Sequence, residues 1–266
     1  MWRLAILGAY AALAACSAAP QPADRAGQPQ RIVSLNPCAD AILAEIAPDR
    51  LVAVSHYSHD PRASSMEVAK ARRWPATGGT VEEVLALDPD LVVASTFLEP
   101  ATAKALADLN IPVEMVGIAS TPDESAEQVR ALATATAADA AKLLDRMPVT
   151  QRNPGPDAPR VLVWQEGGIV AGPNSMVAAM LERAGLANHA AARGLGQGAY
   201  LPLEQVLADP PDIVLAAGDD RALVHPALRR LPGVTYARLD PALLYCGGPT
   251  IPKLAARLEA VRGEAR

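Results

Sequence analysis

The chain reads as an α/β protein of two lobes joined by one long helix, and three observations predict this. Short β-branched apolar runs alternate with segments of helical periodicity along most of the 266 residues. One phrase is written twice, as VEEVLALDPDLVVA at 81–94 and LEQVLADPPDIVLA at 203–216. In the register that pairs Glu82 with Glu204, Val84 meets Val206, Leu85 meets Leu207, Pro89 meets Pro211, Asp90 meets Asp212 and Val92 meets Val214. Between the copies, an alanine-rich run of good helix formers extends from Thr121 to about Met147; at 1.5 Å per residue it would span roughly 39 Å, the width of a small domain. Alternation of this kind argues for parallel sheets whose working loops lie at the carboxyl ends of the strands.

The elements follow in order. RIVSL from Arg31 is a strand, and Asn36-Pro37 opens a helix through CADAILAEIA, with asparagine as cap and proline in the first turn. LVAVSHY and DLVVASTF read as buried strands. Between them Thr80-Val81-Glu82-Glu83 fits a capping box in which Glu83 reaches back to the Thr80 backbone. The repeated phrase is therefore a helix, an Asp-Pro-Asp turn and a strand. IPVEMVGI adds a strand, and Thr121-Pro122-Asp123-Glu124 caps the linking helix, which ends in the proline-rich MPVTQRNPGPDAP. RVLVWQ, a helix over about 174–184, the second copy of the phrase with its strand DIVLAAG, YARLD and a helix over about 250–262 complete the second lobe.

The amino-terminal MWRLAILGAYAALAAC has a cationic start, an apolar stretch too short to span a bilayer, and small residues before Cys16. It reads as an export signal. Leu13-Ala14-Ala15-Cys16 resembles the bacterial lipobox, which implies lipidation of Cys16; an ordinary signal peptide cut nearby is the alternative. The expected divisions are a signal at 1–15, a polar, Pro-rich tether at 16–30, a first lobe at 31–119, the linking helix at 120–148 and a second lobe at 149–266. Half the residues are apolar, a fifth are charged and the net charge is −5. That is a globular mixture with nothing to attract nucleic acid.

Two α/β lobes, one helix between them, an export signal and the doubled phrase together resemble a class III periplasmic substrate-binding protein of an ABC importer. The similarity is greatest to the members that carry cobalamin, haem and iron-siderophores. AGPNSMVAAMLERAGLANHA, with Gly172, Ser175, Gly185 and Asn188, resembles that family's second-lobe segment. The resemblance implies two Rossmann-like lobes with a ligand cleft between them, no enzymatic activity and no intrinsic cofactor. The bound ligand would be cobalamin or another metal chelate, with haem or a ferric siderophore as the alternative. It also implies a periplasmic, lipid-anchored protein that serves an inner-membrane permease dimer. Glu82 and Glu204 stand where the family presents its permease-docking glutamates, one per lobe, and like lobes suit a symmetric permease.

Aromatic residues make up only 3% of the chain. Tyr57, Phe97 and Trp164 follow or end strands, Tyr200 precedes the second copy of the phrase, Tyr245 precedes the last helix and Trp74 lies in the loop ARRWPATGG. All six are candidates to hold a flat ligand in the cleft, since rigid rings bind planar faces with little loss of entropy. His56 and His59 in SHYSHDP are candidate metal ligands, although no set of three or four ligands accompanies them. Cys38 and Cys246 remain as an even pair once Cys16 is lipidated, in a compartment that permits disulfides. They lie in loops expected to face the cleft, so a disulfide between the lobes is expected, with a thiolate metal site or free thiols as alternatives. An enzyme is the rival class, but the chain has no Gly-x-Ser-x-Gly elbow, no His-Glu-x-x-His and no Walker loop. An accessory sensor lipoprotein is the other.

Overall fold

A computed structural model describes residues 27–147 and 150–264. Cys16 and the expected signal lie outside them. The first sheet is built from β1 (Ile32–Ser34), β2 (Leu51–Ser55), β3 (Ala76–Thr77), β4 (Leu91–Ser95) and β5 (Val113–Val116), all parallel, in the order β3-β2-β1-β4-β5. Its connections carry α1 (Pro37–Ile46), α2 (Val68–Ala71), α3 (Val81–Leu85) and α4 (Pro100–Asp108), with a 3-10 turn at His56–His59.

After α5 (Pro122–Thr136) and α6 (Ala141–Leu144), the second sheet runs β7-β6-β8-β9. Its strands are β6 (Arg160–Gln165), β7 (Ala187–Asn188), β8 (Ile213–Ala217) and β9 (Thr235–Arg238), again parallel. The helices are α7 (Met176–Arg183), α8 (His189–Ala192), α9 (Leu203–Ala208), α10 (Pro226–Arg229) and α11 (Ile251–Glu264).

The doubled phrase becomes α3–β4 in one lobe and α9–β8 in the other. Each copy buries one valine of its helix completely, Val84 and Val206. These valines close two outer cores, one per sheet. The inner faces of both sheets join a single larger core around α5, where Val129 and Leu132 meet Ile32 and Ile42 from one side and Val161 and Val177 from the other. Parallel strands buried on both faces give the near-continuous apolar runs seen in the sequence.

The phrase has a second duty, which its aspartates perform. Asp90 accepts hydrogen bonds from the backbone amides of Gln30 (2.6 Å) and Arg31 (2.8 Å), and Asp212 accepts one from Arg160 (2.7 Å). Each carboxylate thus fastens the entry of its lobe's first strand, and the arginine beside it returns bonds to the turn: Arg31 to Leu87 and Asp88, Arg160 to Pro210. Glu83 folds back over the helix start as the capping box predicts: its carboxylate accepts from the Gly78 and Gly79 amides and the Thr77 hydroxyl, with the Thr80 backbone also favouring its charged form, while Thr80 Oγ1 accepts from the Glu83 amide.

The linking helix is shorter than the alanine-rich run predicts. It stops at Thr136; Ala137 adopts a left-handed conformation (φ 46°, ψ 44°), and α6 starts separately after Asp139, whose carboxylate accepts from the Ala141 amide (2.8 Å). The cause lies far away in sequence. Arg50 donates to the Thr136 carbonyl and Gln28 to that of Ala137 (2.7 Å), so donors from the first lobe and from the segment before it satisfy the orphan carbonyls of the helix end.

Candidate functional site

A cleft of about 600 Å³ opens over the carboxyl ends of the first sheet, within the range of ligand pockets. The loop after β1 lines it with Asn36, Pro37 and Cys38; the turn after β2 with Tyr57 and Arg62; the loops after β4 and β5 with Phe97 and Ile118; α5 with Gln128. Strand ends are the natural place for such groups, because regular pairing stops there and the chain is free to turn toward solvent. Phe97 is 75% exposed, Ile118 73% and Tyr57 51%. Large apolar side chains this open, gathered on one concave surface, make this cleft the candidate site.

The second lobe closes the cleft with Tyr245, Cys246 and Gly247. Cys246 is joined to Cys38 by a disulfide, with α carbons 5.2 Å apart. Next to it, the Gly248 amide donates to the buried Ser125 hydroxyl of α5 (2.7 Å). A β carbon at Gly247 would collide with that same hydroxyl, and one at Gly248, where φ is 62°, would crowd Ile42. The sequence Cys-Gly-Gly therefore lets this strand of chain lie flat against α1 and α5. Burial, with the acids Glu166, Asp60 and Asp240 nearby, raises the Tyr245 phenol above its ordinary range, so the ring presents a neutral hydroxyl.

The structure gathers Tyr57, Phe97, Tyr245 and both cysteines, and leaves other expected residues outside. Trp164 is a core residue: it is fully buried, and its indole N–H donates to the Leu201 carbonyl (3.0 Å). The period of two along β6 turns Val161 and Val163 to the shared core and Leu162 and Trp164 to the outer one, so ending a strand did not place the ring in the cleft. Trp74 is half-buried against the larger core and donates to Pro48 (3.3 Å). It enters β3 from the amino end, the side away from the cleft. Tyr200, 65% exposed, pairs with Ile169 at the end of β6 and lies over Gly168, off the lining of the cavity.

The Nε2 of His59 lies 3.2 Å from the carbonyls of both Ala71 and Trp74, which it bridges as a donor. His56 is exposed and stacks on Tyr57 with ring centroids 4.1 Å apart. No group of three or more His, Cys, Asp or Glu among the described residues could hold a metal ion. Glu82 and Glu204 are both exposed in the first turns of α3 and α9.

One residue that the sequence reading passed over is Asp40, an acid inside the apolar run of α1. It is fully buried, and burial pushes its carboxyl up to about 7 although the Ser34 and Ser58 hydroxyls and the Ser55 amide favour the charged form.

Comparison with known proteins gives a consistent picture. Two strains of Halobacterium salinarum have a curated cobalamin-binding protein that is 31% identical over 200 residues, covering 71% of this chain. The aligned part spans only 54% of those relatives. Among solved structures, the periplasmic haem-binding protein HutB of Vibrio cholerae superposes with a TM-score of 0.69 at 21% identity, covering 87% of this chain and 98% of that one. The periplasmic vitamin B12 binding protein BtuF of the same organism gives 0.65 at 20%, covering 89% and 98%. A periplasmic haem-binding protein from Roseiflexus, RhuT, gives 0.66 at 20%, covering 90% and 100%. These likenesses establish the fold. The periplasmic binding protein family matches residues 32–235, and the chain, with its two parallel sheets and the cleft over the strand ends of the first, belongs to that family.

Proposed function

We propose that this protein is the exported substrate-binding component of an ABC importer, and that it captures cobalamin or a closely related metal chelate in the cleft. The observation that carries the reading is the wall formed by Tyr57, Phe97, Ile118 and Tyr245: broad, apolar and rigid, with Asn36, Arg62 and Gln128 as the polar groups that would orient a ligand. Such a wall suits a large flat molecule that arrives fully coordinated, and it asks for no metal ligand from the protein. The curated relatives named for cobalamin favour that chelate over haem. The protein performs no chemistry in this reading; it binds and delivers.

Glu82 and Glu204 would dock the two lobes on the permease, each exposed on the same turn of a duplicated helix. Cys16 would carry the lipid anchor that keeps the protein at the membrane. Titration of the purified protein with cyanocobalamin and with haemin, together with the visible spectrum of whatever copurifies, tests the ligand. Tight binding of cyanocobalamin is expected; haemin binding alone would move the protein to the haem carriers. Glu82→Lys with Glu204→Lys should abolish uptake in cells while leaving affinity near wild type, and a parallel loss of affinity would remove the docking role.

A further inference from the structure

We infer that Asp40 is a positioning residue for this cleft: its buried carboxylate holds the turn that presents Tyr57, so that its protonation slackens ligand capture. The inference rests on the binding function proposed above. Carboxylates are almost never fully buried without a charged partner, and the groups that meet Asp40 are uncharged. Its Oδ2 accepts from the Ser55 amide (2.9 Å) and the Ser58 hydroxyl (2.6 Å), while Oδ1 is buried with only the Ser34 hydroxyl near it, and that hydroxyl donates to the Asn36 carbonyl (3.3 Å). Those two donors bracket His56 and Tyr57, and Ser55 Oγ also accepts from the Tyr57 amide (3.4 Å). The far end of the turn is pinned by His59 on two carbonyls. Tyr57 is therefore stretched between one fixed anchor and one that can change charge.

The groups facing Asp40 are few. Strand β1 contributes the Ser34 hydroxyl; the turn contributes Ser55 and Ser58, and carries His56, Tyr57 and His59 as its titratable residues. With Oδ2 charged, both donors are held by a strong acceptor. Once the carboxyl is protonated they lose that charge, and the turn loses its firmer anchor. The carboxyl, raised to about 7, makes this change near neutral pH.

The test compares the wild-type chain with Asp40→Asn, which keeps the shape and one acceptor but cannot ionise. In the first arm, without ligand, the ring signals of ¹³C-labelled tyrosines are followed from about pH 5.5 to about pH 8.5, with Tyr57 assigned by Tyr57→Phe. The Tyr57 signal should move with a midpoint of about 7 in the wild type. In Asp40→Asn the component with that midpoint should be missing, leaving only what the two proteins share. Identical curves would overturn the inference. In the second arm, cyanocobalamin and haemin should bind the wild type roughly three- to tenfold more weakly at the acid end, with a flatter profile in the variant.

Probe affinity that ignores pH in the wild type, despite a responding Tyr57, would also overturn the inference. If neither probe binds while Tyr57 still responds, the ligand reading fails and the anchoring of Tyr57 stands. Should Asp40→Asn not fold, Ser58→Ala leaves the carboxyl but removes a donor; the Tyr57 midpoint should then rise, and an unchanged midpoint would count against Asp40.

Discussion

The two lobes start from the same phrase and finish differently. In both, a short helix buries one valine, an aspartate ties down the first strand and a strand pairs between two parallel neighbours. Beyond that frame they diverge. The first lobe lines most of the cleft through the loops after β1, β2, β4 and β5, and the described second lobe lines it with one short segment around Cys246. Its α3 is capped by Thr80 with Glu83 folded back, whereas α9 starts after Pro202 with no side-chain cap. Helix α1 buries a carboxylate; the buried residues of α7 are apolar or methionine. Duplication has preserved what holds a sheet together, and the loops have been free to specialise.

The largest effect should come from breaking the covalent link between the lobes. Cys38 and Cys246 are 208 residues apart, so in the loop-entropy account their bond removes about 5 kcal/mol of freedom from the unfolded chain. Cys38→Ser together with Cys246→Ser should lower the free energy of unfolding by an amount of that order, read from denaturant curves followed by circular dichroism. The segment after β9 packs on α1 and α5, so its hold on the first lobe should loosen, leaving the shared core around α5 to couple the lobes. The denatured, unreduced protein should show no thiol at these positions; two reactive thiols would remove the bridge.

Next in size is a contrast between two tryptophans. Trp164→Ala empties a site in the second outer core and strands the Leu201 carbonyl, and should cost about 3 to 5 kcal/mol of stability. Trp74→Ala, at a half-buried site, should cost about 1 to 2 kcal/mol. Neither should change ligand affinity more than about twofold, since neither ring lines the cleft. Calorimetry and a binding titration on the same samples check both statements, and a large affinity loss in Trp74→Ala would return that ring to the site.

A third comparison sets Phe97, on the cavity wall, against Tyr200, beyond it. Phe97→Ala removes exposed contact area from the binding face, so affinity for a bound chelate should fall by about 1 to 3 kcal/mol while the melting temperature stays put. Tyr200→Ala should cost no more than about 0.5 kcal/mol of binding. Equal losses at both would mean that the ligand reaches across to the end of β6, giving the second lobe a larger share of the site.

These contrasts show what a sequence can display. Strands buried on both faces are legible as apolar runs, and a duplicated phrase is legible as duplicated structure, because both are local patterns. The end of α5 was not legible: its stop is made by Arg50 and Gln28, far away in the chain. Trp164 was misplaced because a strand end offers two faces and the sequence marks only the end. Trp74 was misplaced because a loop before a strand resembles a loop after one until the pairing of β2 with β3 is known. Asp40 left a signal, a single acid within CADAILA, which helix periodicity could have turned inward. The aspartates of the repeat were visible as an alignment but not as anchors, since their partners stand at the start of each lobe's first strand, more than fifty residues away.

Those aspartates give the finest test of how alike the lobes are. Asp90 holds two backbone amides and Asp212 one, so the same substitution should not cost the same in each lobe. Both carboxylates are exposed, and each bond is therefore worth less than a buried charge-assisted one, about 0.5 to 1 kcal/mol. Asp90→Ala should accordingly destabilise by roughly 1 to 2 kcal/mol and Asp212→Ala by about half as much. Hydrogen exchange gives the sharper reading. Loss of the anchor should speed exchange of the Gln30 and Arg31 amides in one variant and of the Arg160 amide in the other, without spreading to the opposite sheet. Exchange that rose in both lobes at once would show that strand entry is coupled through the shared core around α5, and the frame would then be one unit rather than two copies.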